Sequence, residues 1–503
     1  MAYSRPGVYI SERLLPAPLP AGVSANAAGA VVAPLAQGPE AVTLVTSWYE
    51  FVKYYGGYNV SFPATFGINT FFQNGGRELY VKRILPSNAV AASVDLVTSG
   101  AAVVATVTAK NKGSDGNNLR VQLTTGTVAS TYTLTVYKEG ITGTPSVVTD
   151  DVLLERYENI VFNDPTSTDF AETVINLVSS NIVVSNSASG TPVSNIYPLT
   201  GGSNGSTIAS TDYTSYQATG TSVFNEFSTL DRPLVIFLPD LWKTLASGET
   251  GVYDAATSWA AANNSFVVIE TADSLTVSQA ISAAAGFADT SYAAVYYPHF
   301  FIADPVGRGS GALRKIGPSA AVAGLFLNTD ANQGVFKAPA GIRTSVQGAV
   351  AMERSFTSSE LDSMNSSTTP INPIRQIPGG GLSVMGARTL LQDGTANKYV
   401  NMRRSLIFIT KNLKNLTEFA IFENNDERLW AQIRSRISTF LEEYRGQGGL
   451  RGATSTQAYF VKCDAENNSE AQIANGEVHI QVGVALQYPA EFIVIDLSQK
   501  TIN

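Results

Sequence analysis

Two stretches in which short apolar runs alternate with helical patterns, separated by a long valine- and threonine-rich interval, most constrain how this chain can fold. In the first, residues 27–85, GAVVAP and AVTLVTS read as strands, Trp48 to Tyr55 and Phe66 to Gln73 as helices, and ELYVKRI as a strand after Asn74-Gly75-Gly76. The rhythm returns after Tyr213 with strand PLVIFLP, helix GVYDAATSWAAANN carrying Trp259 on its inner face, strand FVVIET, helix SLTVSQAISAAAGFA and strand AAVYYPHFFIADP. Alternation of this kind predicts a sheet covered by helices. Between the stretches, AAVVATVTA, NLRVQLTT, TYTLTVYK and VLLERYENI alternate with glycine and asparagine turns, with one helix over Ser167 to Ser179. The expectation is an α/β domain (23–89 and 200–350) split by an inserted β-rich domain (90–199).

A third region, 351–503, is expected to form a carboxy-terminal α+β domain with a small sheet, making the whole a multidomain α+β protein. It runs through helix TSSELDSMNSS, loop TTPINPIRQIPGGG and strand LSVMGARTL to two longer helices. In the first, Leu406, Ile409, Leu413, Leu416 and Ala420 form one stripe; in the second, Asn425 is the expected N-cap, Leu429, Ile433, Ile437, Phe440, Leu441 and Tyr444 repeat at helical steps, and Gly446 ends the helix. The strand AYFVKCD follows, then alternation from Val478 to Leu486, an interruption at Tyr488 and Pro489, and a last apolar strand from Glu491 to Leu497. That final strand offers an unpaired edge, so either it folds back or another molecule takes it. At the other end, residues 1–22 hold PGVYISE and LLPAPLPAG, an extended arm.

Composition narrows the function. Only 15% of residues are charged, and a net charge of −8 argues against a nucleic-acid partner. A single cysteine, Cys463, excludes an intrachain disulfide framework. The start lacks a signal-peptide pattern and no window approaches a membrane-spanning length, so a protein made and kept soluble in the cytoplasm is expected, without membrane insertion.

Catalytic groups are sparse. His299 and His479 lie in different regions, and Cys463 with His479 reads as a small core residue and a solvated strand residue rather than a nucleophile and its base. The loop from Asp304 to Lys315 lacks phosphate-loop spacing and reads as a turn between strand and helix. Asp231, Asp240, Asp254, Asp273, Asp289 and Asp304 sit at strand and helix ends as solvated caps, without metal-ligand spacing. Bases cluster from Lys398 to Lys414, with Arg403, Arg404 and Lys411 between, and continue at Arg428, Arg434, Arg436 and Arg445; they read as a solvated face or an acidic partner's footprint. No metal or cofactor is expected.

The ordered run VMGARTL, YVNMRRSLIFI, FENNDERLW, FLEEYRGQGGLRG, AYFVKCDAENN and NGEVHIQVGVALQYPAEFIVIDLSQ resembles the carboxy-terminal domain of contractile-tail sheath proteins, and PGVYISE resembles that family's opening. Met385 departs from the tryptophan that often precedes GARTL there. The resemblance implies a structural polymer: hexameric rings stack helically around an inner tail tube and contract to drive it through a host envelope. Strands from neighbouring copies would complete the small sheet. It places the amino-terminal strand at Gly7, Val8, Tyr9, Ile10 and Ser11, and the carboxy-terminal one at Phe492, Ile493, Val494, Ile495, Asp496 and Leu497. The acceptor sheet falls on Tyr459, Phe460, Val461, Val478, Ile480, Val482 and Val484, and the tube-facing side on Arg428, Arg434 and Arg436. Implied partners are further copies, the tail tube protein, and baseplate and terminator proteins, in a virion tail assembled in the host cytoplasm. The sheath of a bacteriocin or secretion-like particle remains open beside this, as does an α/β hydrolase.

Overall fold

The structure is a computed structural model and describes residues 26–139, 151–187, 189–215, 221–245, 247–307, 309, 311–378 and 381–491. The described residues divide into two compact units, one holding 27–407 with 486–491, the other holding 408–485.

The first unit is built on an eight-stranded sheet in the order Gly381–Val384, Ile371–Ile377, Ala293–Tyr297, Phe266–Glu270, Leu234–Phe237, Ala28–Pro34, Leu79–Ile84, Thr43–Val45. Its inner pairs are parallel and its two outermost pairs antiparallel. Ala28–Pro34, Leu234–Phe237, Phe266–Glu270 and Ala293–Tyr297 are buried along their whole length, as expected of strands covered on both faces. Helices Trp48–Tyr55, Ala64–Gln73 and Ser319–Gln333 contribute to one core; Glu249–Ala262 and Val277–Ala284 contribute to the other. Gly324 lets two of these helices touch, because a Cβ there would lie 2.4 Å from the Phe71 carbonyl oxygen. Pairing of Ala28 with Leu234 joins the two halves of the split domain in one sheet. Trp259 is buried on the inner helix face, its indole N–H donating to Ser228 at 2.9 Å.

Between these halves, residues 93–198 form a four-stranded and a three-stranded antiparallel sheet. They enclose a core of their own, with Leu96, Val107, Val121, Val136, Ile160 and Ile175 in it. The inserted helix is Ala171–Val178, shorter than Ser167 to Ser179.

Three expectations are corrected in this unit. AAVYYPHFFIADP is two strands: Ala293–Tyr297 stays in the large sheet, and after Pro298, which has no N–H for a ladder, Phe300–Ala303 joins a separate three-stranded sheet. The loop from Asp304 to Lys315 joins two antiparallel strands of that sheet rather than a strand and a helix, and Arg314 closes it on Asp304 at 3.0 Å. Ile371–Ile377 and Gly381–Val384 extend the large sheet, so that sheet reaches past residue 351, where the third region was expected to begin.

In the second unit the helix Glu427–Gly446 buries Leu429, Trp430, Ile433, Ile437, Leu441 and Tyr444 on one stripe. Its N-cap is Asp426, whose carboxylate accepts from Leu429 N at 2.9 Å, rather than Asn425. Asn425 is engaged elsewhere, accepting from the Trp430 indole at 2.8 Å and donating to the Glu477 carbonyl at 2.9 Å. Tyr459–Lys462 and Gln481–Val484 form the antiparallel pair of this unit.

Candidate inter-subunit surfaces

In the pair Tyr459–Lys462 and Gln481–Val484, Tyr459 lies opposite Val484, Phe460 opposite Gly483, Val461 opposite Val482 and Lys462 opposite Gln481. The period of two puts Tyr459, Val461, Val482 and Val484 on one face. That face meets the Glu427 helix, where the Tyr459 hydroxyl donates to the Ser438 carbonyl at 3.2 Å. The opposite face carries Phe460, 52% exposed, lying across Gly483, where a Cβ would come within 2.1 Å of the ring. Among the described residues each strand has the other as its only strand partner, so both outer edges keep unpaired backbone groups along most of their length. A two-stranded ribbon is marginal by itself, and a further strand would complete it.

The alternation predicted a longer strand. Val478 and Ile480 lie outside Gln481–Val484 for a local reason. His479 N donates to Asn468 at 2.6 Å, and the His479 carbonyl accepts from Asn467 at 2.8 Å and Asn468 at 3.1 Å. Side-chain amides thus take the backbone groups a ladder needs. The expected donor strands, Gly7 to Ser11 and Phe492 to Leu497, lie outside the described residues.

The root of the carboxy-terminal segment is described, and it belongs to the first unit. Leu486 is buried, the Gln487 carbonyl accepts from Asn401 at 3.1 Å, and Tyr488 meets Tyr399 edge-on at 6.3 Å. Glu491 receives both arms of the Arg388 guanidinium, at 3.1 and 2.6 Å, a bidentate pair with defined direction. Arg388 is the arginine of the GARTL run. Its backbone is fixed by Asn372, which accepts from Arg388 N at 2.7 Å and donates to Arg388 O at 2.8 Å. Sequence reasoning missed this arrangement because Asn372, Arg388 and Glu491 are far apart in the chain.

The three arginines expected to face a tube differ. Arg428 is exposed. Arg434 donates to the Cys463 carbonyl, a contact inside its own unit. Arg436 stacks over Phe419 at 3.7 Å. The middle of the basic run before them is not a solvated face, since Arg404 is buried and paired with Asp330, Arg403 lies over Tyr292 at 4.4 Å and Lys411 is buried, whereas Lys414 is exposed. Exposed apolar groups instead gather just before the helix, where Ile421 is 66% exposed and Phe422 fully exposed with φ of 67°. A bulky residue held in the left-handed region costs energy that local packing does not return.

Cys463 is buried, which pushes its thiol pKa up, and its sulfur meets the Asn468 amide at 3.9 Å; His479 pairs with Glu477 at 2.9 Å. Neither is arranged as nucleophile and base. A buried charge cluster lies at the carboxyl ends of three neighbouring parallel strands, where open α/β sheets bind ligands. Asp240 N donates to Glu270 at 2.6 Å, Gly317 N to Asp240 at 3.1 Å, and Ser319 N to Glu270 at 3.1 Å. Lys243 pairs with Asp240 at 3.0 Å, and His299 faces Glu353 at 3.6 Å. Burial, and then Asp240 beside it, push the Glu270 pKa up to about 7, while His299 facing it and hydrogen bonds from Lys315 and the Ser274 N–H hold Glu353 down at about 2 against its desolvation. Asp240, Glu270 and His299 are at most 3% exposed, so the cluster is packed beneath the Ser319 helix and not open to a substrate. Asp240 is therefore not the solvated cap expected of it.

Residues 249–390 match the central domain of the phage tail sheath protein family, and residues 392–500 match the phage tail sheath C-terminal domain. The tail sheath protein of Vibrio phage KVP40 is 25% identical over 176 residues, covering 35% of this chain and 25% of that protein. The aligned part spans about a quarter of the length of the curated relatives. In fold, the chain is similar to the sheath tail protein of Listeria innocua, with a TM-score of 0.60, 13% identity and coverage of 92% and 95%. It is also similar to a chain of the anti-feeding prophage helical sheath in its contracted state, with a TM-score of 0.56, 21% identity and coverage of 99% and 100%. The two adjoining matches take in residues 249–500 and support a contractile tail sheath protein, from a family of structural proteins and not of enzymes.

Proposed function

We propose that the protein is the repeating subunit of a contractile sheath, polymerising as helically stacked hexameric rings around an inner tube and contracting to drive that tube through an envelope. The observation that carries the reading is the ribbon Tyr459–Lys462 with Gln481–Val484, backed on one face and open at its edges among the described residues. A strand from a neighbour, Gly7 to Ser11 or Phe492 to Leu497, adds to such an edge through main-chain hydrogen bonds, with side chains setting register. Because donor and acceptor are different surfaces, the contact is head to tail and propagates as a helix. Each hydrogen bond contributes only ~1 kcal/mol net, so cohesion comes from repetition along the polymer.

The likeness to sheath and baseplate assemblies of the anti-feeding prophage supports self-association and attachment to a baseplate. A tube protein is the expected inner partner, reached through the surface bearing Arg428, Arg436 and the exposed Phe422; a terminator would cap the polymer. The place of action is the virion or particle tail, after assembly in the host cytoplasm. Full-length likeness to the sheath of an extracellular contractile injection system also favours a second setting, a contractile particle other than a phage. Purified particles carrying DNA-filled capsids point to a phage, and free contractile tubes to the second setting.

Deleting residues 492–503 tests the arm. The expected product is soluble, keeps its circular dichroism and forms no hollow cylinders under negative stain. Cylinders from the truncated chain would overturn the arm's role.

A further inference from the structure

A cleft of about 630 Å3 opens where the α/β domain meets the β-rich insertion within the first unit. Its lining holds Lys53, Lys110, Lys112 and Lys138 against one carboxylate, Asp115. Asp115 is already engaged, accepting from Lys138 at 3.2 Å on both oxygens. Lys110 donates to the Ser179 carbonyl at 2.5 Å, which leaves its charge uncompensated. Among the described residues no carboxylate comes within ion-pairing distance of Lys53, Lys110 or Lys112. In a chain of net charge −8, this is a local reversal of sign inside a concave wall, the geometry that focuses a field on an anion.

The cleft is also held rigid. Arg83, wholly buried beneath it, donates to the carbonyls of Leu35 at 2.9 Å, Ala36 at 3.1 Å and Gly38 at 2.8 Å on the α/β side, and to Lys112 at 2.8 Å on the insertion side. One guanidinium therefore clamps both rims, and a ligand would meet a site that needs little ordering. One wall is the Tyr54 ring, 39% exposed, which offers an aromatic surface beside the ammonium groups. The volume lies within the usual range for small-molecule sites, far above what a bare ion needs.

We propose that this cleft binds a nucleotide-sized phosphate ester, with Lys53, Lys110 and Lys112 taking the phosphate and Tyr54 contacting the ring it carries. The proposal does not depend on the sheath reading. Titration calorimetry of the full chain at low salt, with AMP and with inorganic pyrophosphate as probes, tests it. Expected are one saturable site per chain and tighter binding of AMP. The double variant Lys53→Glu/Lys112→Glu should lose at least about tenfold in affinity, as removal of two charged donors predicts, with an unchanged melting temperature. Lys337→Glu, a charge change outside the cleft, should bind as wild type does. Absence of saturable AMP binding at millimolar concentration overturns the proposal, as does binding that the double variant leaves intact. Pyrophosphate binding as tightly as AMP contradicts the role of Tyr54. If the double variant loses cylinders while wild type binds no AMP, the cleft belongs to an acidic surface of a neighbouring copy instead.

Discussion

Arg83 has no solvent exposure and donates to the carbonyls of four residues, so the oxygen ends of peptide dipoles meet its charge. Replacing it by methionine keeps the stem and strands those carbonyls; a loss of at least ~3 kcal/mol in urea unfolding is expected, and one below ~1 kcal/mol would show that water replaces the guanidinium freely. Glu270 makes a different demand. Its carboxyl has a folded pKa near 7, above the ordinary value of 4.5, so the native state holds the proton more tightly than the unfolded chain does. The stabilisation is complete below the unfolded pKa and is lost as pH rises through the folded one. The groups around it are Asp240, Tyr253, His299 and the Ser319 amide, with Lys243 on Asp240 and Glu353 facing His299. Thermal melts between about pH 5 and pH 8 should therefore fall with rising pH in the wild type and fall less in Glu270→Gln; parallel profiles would contradict the assignment. None of this was legible in the sequence, where Asp240 read as a solvated strand end and His299 lay inside the run AAVYYPHFFIADP. Burial of a charge is decided by which ends the parallel sheet brings together, and no local pattern encodes that.

At the scale of elements the sequence was more informative. The helix Trp48–Tyr55 has the bounds its pattern predicts, and the stripe from Leu429 to Tyr444 faces inward, because spacing at three and four residues is a local property. Strand ends were less legible. Pro298 divides a run that looked continuous, and Asn467 and Asn468 hold His479 out of the ribbon, so Val478 and Ile480 do not extend it. The root of the final segment was not foreseen. Its direction rests on the pair between Arg388 and Glu491, each about one-fifth exposed, so its worth lies more in geometry than in stability. Arg388→Ala and Glu491→Ala should each leave the melting temperature within ~2 °C of wild type, as a loss of a few tenths of a kcal/mol implies. Both should nonetheless reduce the polymer fraction in sedimentation velocity several-fold. Polymerisation equal to wild type would show that the root does not aim the arm.

For the whole molecule, two blocks of strand and helix alternation pointed to a helix-covered sheet, and strands from both blocks do share one sheet through the pairing of Ala28–Pro34 with Leu234–Phe237. The edges were not foreseen: Ile371–Ile377 and Gly381–Val384 join the large sheet by pairing with Ala293–Tyr297, a non-local choice. What the molecule lacks among its described residues is a third strand for the ribbon Tyr459–Lys462 with Gln481–Val484, and the proposed answer is another copy. The most direct test is a cryo-electron microscopy map of cylinders formed by the full chain, at a resolution that traces each terminus to its own subunit. The account predicts that residues 492–497 of one subunit lie as a strand along the edge of the ribbon of another. If every subunit's 492–497 pairs within its own chain, and no neighbouring strand reaches that ribbon, the account is wrong.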